Sequence, residues 1–344
     1  MTSLSVLDLA TVAEGSTPAQ ALADTLEHAR LAERLGFARF WVAEHHAMAS
    51  VASSAPAVLI AHLAARTSTI RVGAGGVMLP NHAPIVLAEQ FATLEALNPG
   101  RIDLGVGRAP GTDPLTTRAL RRSSSLGHDT FPDDLVELLD YFSPSRSTHP
   151  VPNPGPGYAP EVWILGSSTY GAQVAGRLGL PFAFAYHFAP QRLDEALDIY
   201  RTHFRPSARI EAPRVMVGVS VLCAPSDEEA RFLAGPSGLH LLLRSSGRAG
   251  ALPTPEAAAA FPYSAEQRAF LDETSATHAI GDPDAVRASL DDLVRRTGAD
   301  ELIVATRTHG FAERARSLEL LASVWDPAGG PSRHVAPADE LLAR

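Results

Sequence analysis

Short apolar segments alternate with amphipathic helical segments along almost the whole chain. Eight apolar segments of four to eight residues occur, at residues 4–9, 40–43, 70–75, 102–106, 162–165, 182–185, 215–222 and 301–305. Continuous apolar runs of this length are typical of strands buried on both faces of a parallel sheet, with helices as the crossovers between them. Eight such units favour an α/β fold of the (β/α)8 TIM barrel type, with insertions, over an open doubly wound sheet. We therefore expect one domain over residues 1–325.

Three stretches interrupt this alternation. Residues 143–160 contain six prolines and two glycines, which predicts an irregular insertion. Residues 235–280 are rich in Gly, Pro, Ser and Ala, and we interpret them as a lid that moves over a site. Residues 326–344 are expected to form a surface tail.

The charge composition excludes several classes of function. The chain has a formal net charge of −9, and its 29 basic residues form no run that could follow a phosphate backbone, so we expect no nucleic-acid partner. All of these basic residues are arginine, and no lysine is present. Schiff-base aldolases, pyridoxal-phosphate enzymes and P-loop nucleotidases each need a lysine amine, so these classes are excluded.

The cellular location is also constrained by the sequence. The amino terminus lacks a basic leader segment, and no apolar run reaches the roughly 18 residues that a membrane helix needs. The single cysteine, Cys223, cannot form an internal disulfide. These features predict a cytoplasmic protein without a membrane partner.

Polar residues and glycines follow six of the predicted strands. They are Glu44-His45-His46, Ala74-Gly75-Gly76, Gly107-Arg108, Gly166-Ser167-Ser168, Tyr186-His187 and Thr306-Arg307. Because the carboxyl ends of barrel strands meet at one rim, we expect these residues to surround a common site.

The fifth predicted strand is followed by a candidate anion site. Gly166, Ser167 and Ser168 lie where the strand ends and a helix begins, so free N–H groups and two hydroxyls favour an anion such as a phosphate. Arg108 is a second candidate for the same anion. The alternative is that both serines only cap the helix.

The other rim residues predict a planar ligand beside a histidine. Ala74 and Gly75 offer backbone with little side chain, which a flat ring can approach closely. His45 is a candidate general acid or base, although a histidine can equally be a structural residue. Tyr186 and His187 are expected to line a pocket wall, with Tyr186 against the ring, unless Tyr186 is an ordinary half-buried aromatic. A ring, a phosphate and a histidine together describe a flavin mononucleotide (FMN) site.

The other histidines are weaker candidates for a functional role. The neighbouring His45 and His46 raise the possibility of a metal site, but strand residues alternate faces and the fifth strand adds no further ligand, so we expect no metal. His82 and His309 lie in predicted loops, where we expect them to be solvated.

Four motifs, in this order, resemble the bacterial luciferase-like family of flavin-dependent monooxygenases. They are FWVAEHH, VGAGGVMLPNHAP, NPGRIDLGVGRAPGTDP and GSSTYGAQVAGRLGLPFAFAYHF. The resemblance covers most of residues 3–325. It is strongest to the single-subunit members, some of which modify aromatic polyketide antibiotics.

The resemblance implies a TIM barrel that takes reduced FMN from a separate flavin reductase and reacts it with O2. It implies a flavin C4a-peroxide that oxidises a small organic substrate, such as an aromatic polyketide, and a homodimer. The catalytic histidine of the family falls on His45, a cis non-proline peptide on Ala74-Gly75, and the phosphate ligands on Arg108 and Ser167. Gly166 and Ser168 flank this serine.

The sequence departs from the luciferases at two positions. Tyr186 replaces the tryptophan that contacts the flavin, and Val106-Gly107 replace a segment with a reactive cysteine. We assign His187 to the substrate. Phe184 and Phe188 near the rim favour an uncharged or aromatic substrate.

Two other functions are compatible with this pattern. An F420-dependent reductase or dehydrogenase shares the fold and would transfer hydride without oxygen. A flavin-binding barrel without catalysis would only store the cofactor.

Overall fold

Eight parallel strands close into a barrel in a computed structural model that describes residues 2–109, 114–121, 130–143 and 150–325. The described residues form nine strands, all of which except β8 belong to the barrel: β1 (Ser3–Asp8), β2 (Arg39–Val42), β3 (Arg71–Met78), β4 (Ile102–Gly107), β5 (Glu161–Gly166), β6 (Phe182–Phe184), β7 (Val215–Cys223), β8 (Ala279–Gly281) and β9 (Glu301–Ala305). The order around the barrel is β1-β2-β3-β4-β5-β6-β7-β9, and β9 pairs with β1. The expected TIM barrel is confirmed. The short β8, which the sequence analysis did not predict, pairs with the end of β7.

Helices connect the strands and cover the outside of the barrel. They are α1 (Pro18–Arg34), α2 (Pro56–Ala64), α3 (Pro84–Leu97), α4 (Pro114–Arg121), α5 (Phe131–Tyr141), α6 (Thr169–Leu178), α7 (Leu193–His203), α8 (Asp227–Ser245), α9 (Pro255–Ala260), α10 (Ala265–Ser275), α11 (Pro283–Thr297) and α12 (Phe311–Val324). Local sequence sets several ends. Thr17 accepts a hydrogen bond from the Gln20 N–H at the start of α1, and Asp282 caps α11 in the same way.

A buried ion-pair network closes the amino-terminal end of the barrel interior. The Arg39 guanidinium lies 3.0 Å from Glu301, 2.8 Å from Asp103 and 3.3 Å from Glu161. Arg214 adds a 2.8 Å contact to Glu161. Burial alone would lower the pKa of Arg39, but these carboxylates raise it above the ordinary value. Residues at the starts of β2, β4, β5 and β9 are thereby held together.

Two tryptophans form the next layer of the interior. The rings of Trp41 and Trp163 meet edge to face with centroids 5.7 Å apart. Their indole N–H groups donate to Asp103 (2.9 Å) and Glu161 (2.8 Å). Aliphatic side chains complete the layer, namely Leu7, Leu165, Ala183, Met216 and Ile303. The interior is thus filled at the amino-terminal end of the barrel, and the remaining space lies at the carboxyl ends of the strands.

The segment interpreted as a lid, residues 235–280, is largely helical. The helix α8 continues through Pro236 to Ser245, and α9 and α10 follow it. Thr254 caps α9, and Ser264 forms a reciprocal capping box with Gln267 at α10.

The remaining irregular stretches of the sequence can be compared with the described residues. The polar stretch after Arg108 contains a helix, α4. The expected insertion at 143–160 is without helix or strand in its described part, while residues 144–149 and the expected tail at 326–344 lie outside the described residues. No helix of the described ranges is both long and apolar enough to cross a membrane.

Replacing Arg39 by methionine should lower the free energy of unfolding by about 3 kcal/mol or more, because it leaves buried carboxylates without their main partner. Urea unfolding measures the change. Arg295→Met is the matched control, since Arg295 pairs with Asp292 on the exposed surface of α11 and should contribute at most about 1 kcal/mol. Equal effects of the two substitutions would contradict a structural role for the network.

Candidate active site

A cavity of about 1280 Å³ opens at the carboxyl ends of the strands. Trp41 and Leu7 contribute to its floor, the residues that follow the strands form its walls, and α8, α9 and α10 contribute to its roof. Pockets for one small molecule measure about 300–1,000 Å³. The cavity therefore has room for a cofactor and a substrate together.

Two adjacent glycines make a shelf without side chains on the β3 side of the cavity. A Cβ atom on Gly75 would lie 2.8 Å from Trp41 Cε3, and one on Gly76 would lie 2.8 Å from the Gly105 carbonyl oxygen. The pairing of β3 with β4 shifts by one residue between Gly75 and Val77. Both glycines line the cavity.

The expectation for Ala74 is wrong. The cis peptide bond joins Gly75 to Gly76 and not Ala74 to Gly75. Ala74 does not line the cavity but is fully buried in the main apolar core with Val72 and Leu104. Side chains along β3 alternate between the interior and the helices outside, so Ala74 and Gly75 face opposite ways.

Arg108 and the start of α6 form a positively charged corner of the cavity. Ser168 is the N-cap residue of α6, but its side chain makes no capping hydrogen bond. Ser167, Ser168 and Gly166 line the cavity, and the Arg108 guanidinium lies 4.3 Å above the ring of Tyr170. The cation, the helix N-terminus and the hydroxyls therefore converge, which favours an anion. Sequence reasoning missed Tyr170, whose only signal is its position two residues after the N-cap.

Glu44 joins the loops that follow β2 and β3. Its buried carboxylate accepts hydrogen bonds from the Met78 N–H (3.0 Å), His82 Nε2 (2.9 Å) and His46 Nε2 (2.8 Å). Burial raises the pKa of Glu44, but the bonds from the two histidines outweigh this effect and hold the pKa below its ordinary value. Sequence reasoning did not identify this role. The expectation that His82 is solvated is wrong.

His45 alone of the histidine pair lines the cavity. Its backbone N–H donates to the Ser53 carbonyl (3.0 Å), while its neighbours Glu44 and His46 pair with each other. The arrangement agrees with the expected alternation of faces. His309, which we expected to be solvated, is half-buried and its Nε2 contacts the Glu14 carbonyl (3.0 Å).

Tyr186 is not brought to the cavity, so the expectation that it faces the ring is wrong. It is buried outside the barrel, with the Arg296 guanidinium of α11 5.3 Å from its ring centre. The strand β6 ends at Phe184, one residue earlier than expected, and the following turn changes which side chains face inward. Phe184 and Phe188 both line the cavity.

His187 lines the cavity in a defined protonation state. Its Nδ1 lies 2.9 Å from the Gly218 carbonyl oxygen, an acceptor only, so Nδ1 carries the proton and Nε2 is left as an acceptor. Burial and the nearby His278 lower the pKa of His187 to about 4. The imidazole is therefore neutral at pH 7.

Replacing Gly76 by alanine should destabilise the protein by about 1–3 kcal/mol, since the added Cβ would press against the backbone of Gly105. Thermal unfolding measures the change. Gly107→Ala is the matched control on the next strand, because the nearest atom to its Cβ would be Met78 Sδ at 3.4 Å, an ordinary contact distance. Similar stability of both variants would show that the shelf tolerates side chains.

Replacing Glu44 by glutamine should lower the free energy of unfolding at pH 7 by about 1.5–3 kcal/mol, the value of hydrogen bonds to a charged group. Because the folded pKa of Glu44 is lowered, its contribution is complete above the ordinary pKa of 4.5 and is lost as the pH falls towards the folded value. Urea unfolding of both proteins at pH 7 and below pH 4 tests this. A stability difference that grows in acid would contradict the assignment.

Comparisons with known proteins agree with this geometry. The family model "Luciferase-like monooxygenase" matches residues 2–301. A luciferase-like monooxygenase of Escherichia coli K12 is 46% identical over 322 residues, covering 93% of this chain and 96% of that protein. The N-acetyl-S-alkylcysteine monooxygenase of Bacillus subtilis is 40% identical over 237 residues, covering 67% and 70% respectively.

Solved structures show the same fold. The apo form of MsnO8 superimposes with a TM-score of 0.87 at 40% identity, covering 94% of this chain and 98% of that one. The oxygenating constituent of 3,6-diketocamphane monooxygenase from Pseudomonas putida, solved in complex with FMN, has a TM-score of 0.68 at 20% identity, covering 93% and 96%. The expected relationship is confirmed, and the chain belongs to the luciferase-like monooxygenase family.

Proposed function

We propose that this enzyme is the oxygenating component of a two-component system, which receives reduced FMN from a separate flavin reductase and uses O2 to oxidise a small organic substrate. The observation that carries the proposal is the pairing, within one cavity, of an anion-binding corner and a shelf without side chains. The first suits the phosphate of a flavin nucleotide, and the second suits its planar ring.

The residues present fit FMN. Arg108, Ser167 and Ser168 would hold the phosphate, with Tyr170 keeping the arginine in place from below. The shelf would support the ring, because side chains at Gly75 or Gly76 would collide with their neighbours or fill that space. When bound, reduced FMN supplies the electrons and the oxygen chemistry.

The histidines of the cavity would manage protons. His45 follows β2, the strand that pairs with the strand of the glycine shelf, and is the candidate general acid or base. His187, neutral with Nε2 as an acceptor, would take a hydrogen bond from a substrate hydroxyl or amide. The helical roof would exclude water from the reaction.

A relative's description also supports the proposal. The structural neighbour from Pseudomonas putida is named as an oxygenating constituent and was solved with FMN. The two sequences are 20% identical, so this similarity supports a shared fold. The assignment of FMN as the cofactor depends on the cavity of this chain.

Anaerobic titration with reduced FMN, followed by stopped-flow mixing with O2, tests the proposal. We expect the protein to bind reduced FMN and to change its rate of oxidation from that of the free flavin. Arg108→Gln should weaken binding by about tenfold or more, which corresponds to about 1.4 kcal/mol. His45→Ala should leave the affinity nearly unchanged and alter the oxidation rate.

Arg66→Gln serves as the matched control, because Arg66 is exposed after α2 and does not line the cavity. Reduced F420 is titrated in parallel. Binding of F420 without binding of FMN would replace the proposal by an F420-dependent reductase. Binding of FMN without any change in its oxidation would indicate a flavin store.

A further inference from the structure

The cavity is positively charged although the protein is acidic. The chain as a whole has a formal net charge of −9. Among the described residues that line the cavity, the only acid is Asp272, against the five arginines Arg108, Arg231, Arg244, Arg268 and Arg307. A cavity lined in this way concentrates anions. The FMN phosphate proposed above accounts for Arg108 alone.

Arg307 is the most unusual of these arginines. It follows β9, its Nε is shielded from solvent, and this Nε has no hydrogen-bond partner within the described part of the chain. No carboxylate of that part lies within 4.0 Å of its guanidinium. A shielded guanidinium N–H normally donates to an acceptor, because leaving it without a partner is unfavourable.

A second cation lies next to Arg307. Arg244 in the last turn of α8 also lines the cavity and forms no ion pair with any described carboxylate. Burial and repulsion from Arg244 lower the pKa of Arg307 to about 10, so Arg307 is still charged at pH 7. Two cations that act on each other without an acid between them attract an anion.

The other cavity arginines have partners. Arg231 pairs with Asp227 at 3.1 Å, and Arg268 lies 5.4 Å from the ring centre of Tyr263. Arg108 lies on Tyr170. Among the described cavity residues, Arg307 and Arg244 are thus the arginines with neither an acid nor an aromatic ring as a partner.

This second cationic position is remote from the phosphate corner. Around the closed barrel, β9 and β4 are separated by four steps in either direction, so Arg307 and Arg108 follow opposite strands. One phosphate cannot contact both. The histidine that both arginines act on, His240, is neutral at pH 7. Burial and the two arginines lower the pKa of His240 to about 4, and its Nε2 lies 3.3 Å from Ser50 Oγ.

We propose that Arg307 and Arg244 bind the carboxylate of the substrate, so that this enzyme acts on apolar molecules that carry a single carboxylate. The apolar body would lie in the cavity between the two arginines and the shelf. The inference rests on the proposed function, since it assigns the half of the cavity that FMN leaves open. It replaces the sequence-based expectation of an uncharged substrate.

Two fluorescent probes that differ only in one anionic group test the proposal without substrate or flavin. They are 1-anilinonaphthalene-8-sulfonate and its uncharged counterpart N-phenyl-1-naphthylamine. Arg307→Gln should weaken binding of the sulfonate by about tenfold or more and binding of the neutral probe by less than about twofold, while Arg307→Lys should retain part of the affinity. Arg66→Gln, on the exposed surface, should change neither.

Displacement of the bound sulfonate tests the carboxylate. Decanoate should displace it at concentrations about tenfold or more below those needed for decanamide, and Arg307→Gln should remove this difference. Unchanged sulfonate affinity in Arg307→Gln, or equal losses for both probes, would overturn the proposal. Equal displacement by decanoate and decanamide would also overturn it.

Reduced FMN titrations separate this proposal from the one on which it rests. Arg108→Gln should weaken the binding of reduced FMN and leave the binding of decanoate unchanged. Arg307→Gln should weaken the binding of decanoate and leave the binding of reduced FMN unchanged. A loss of FMN affinity in Arg307→Gln as large as the loss of decanoate affinity would assign Arg307 to the flavin and overturn the carboxylate site. If wild-type protein binds decanoate through Arg307 but no reduced FMN, the proposed function fails and the anion site stands.

Discussion

The buried contact of Arg39 with three carboxylates is the interaction on which the rest of the structure depends. It holds the starts of β2, β4, β5 and β9 at fixed separations inside the barrel. The tryptophan layer rests on the same carboxylates, because Trp41 and Trp163 donate to Asp103 and Glu161. Trp41 in turn contributes to the cavity floor. The ion-pair network at the amino-terminal end of the barrel thus fixes the position of the cavity floor at the other end.

The shape and charge of the cavity follow from this layered interior. With the lower half filled, the strand ends surround a space whose floor is apolar and whose rim bears cations. Arg108 and Arg307 follow opposite strands, and Gly75 and Gly76 lie on a third strand between them in the barrel order. A ligand with a phosphate and a flat ring would cover one side of this space. An anionic molecule on the other side would then lie next to the ring.

Sequence reasoning predicted the barrel because its signals are repeated eight times and some helices begin with capping residues, such as Thr17 and Asp282. The same reasoning located the rim residues His45, Arg108 and Ser167, since they directly follow buried strands. It failed at Tyr186, because β6 ends one residue early and a shift of one residue reverses the face of a side chain. It also missed the contact between Glu44 and His82, which are 38 residues apart and meet only in the folded barrel. Arg307 was placed at the rim, but its lack of an acidic partner is a property of the tertiary structure alone.

The central claim is that one cavity holds FMN with its phosphate at the Arg108 corner and its ring on the glycine shelf. A crystal structure of the protein with FMN bound tests this claim most directly. We predict that the phosphate contacts Arg108 together with Ser167 or Ser168, that the ring lies over Gly75 and Gly76, and that Arg307 does not touch the flavin. A phosphate bound at Arg307, or a ring remote from the glycine shelf, would contradict the account.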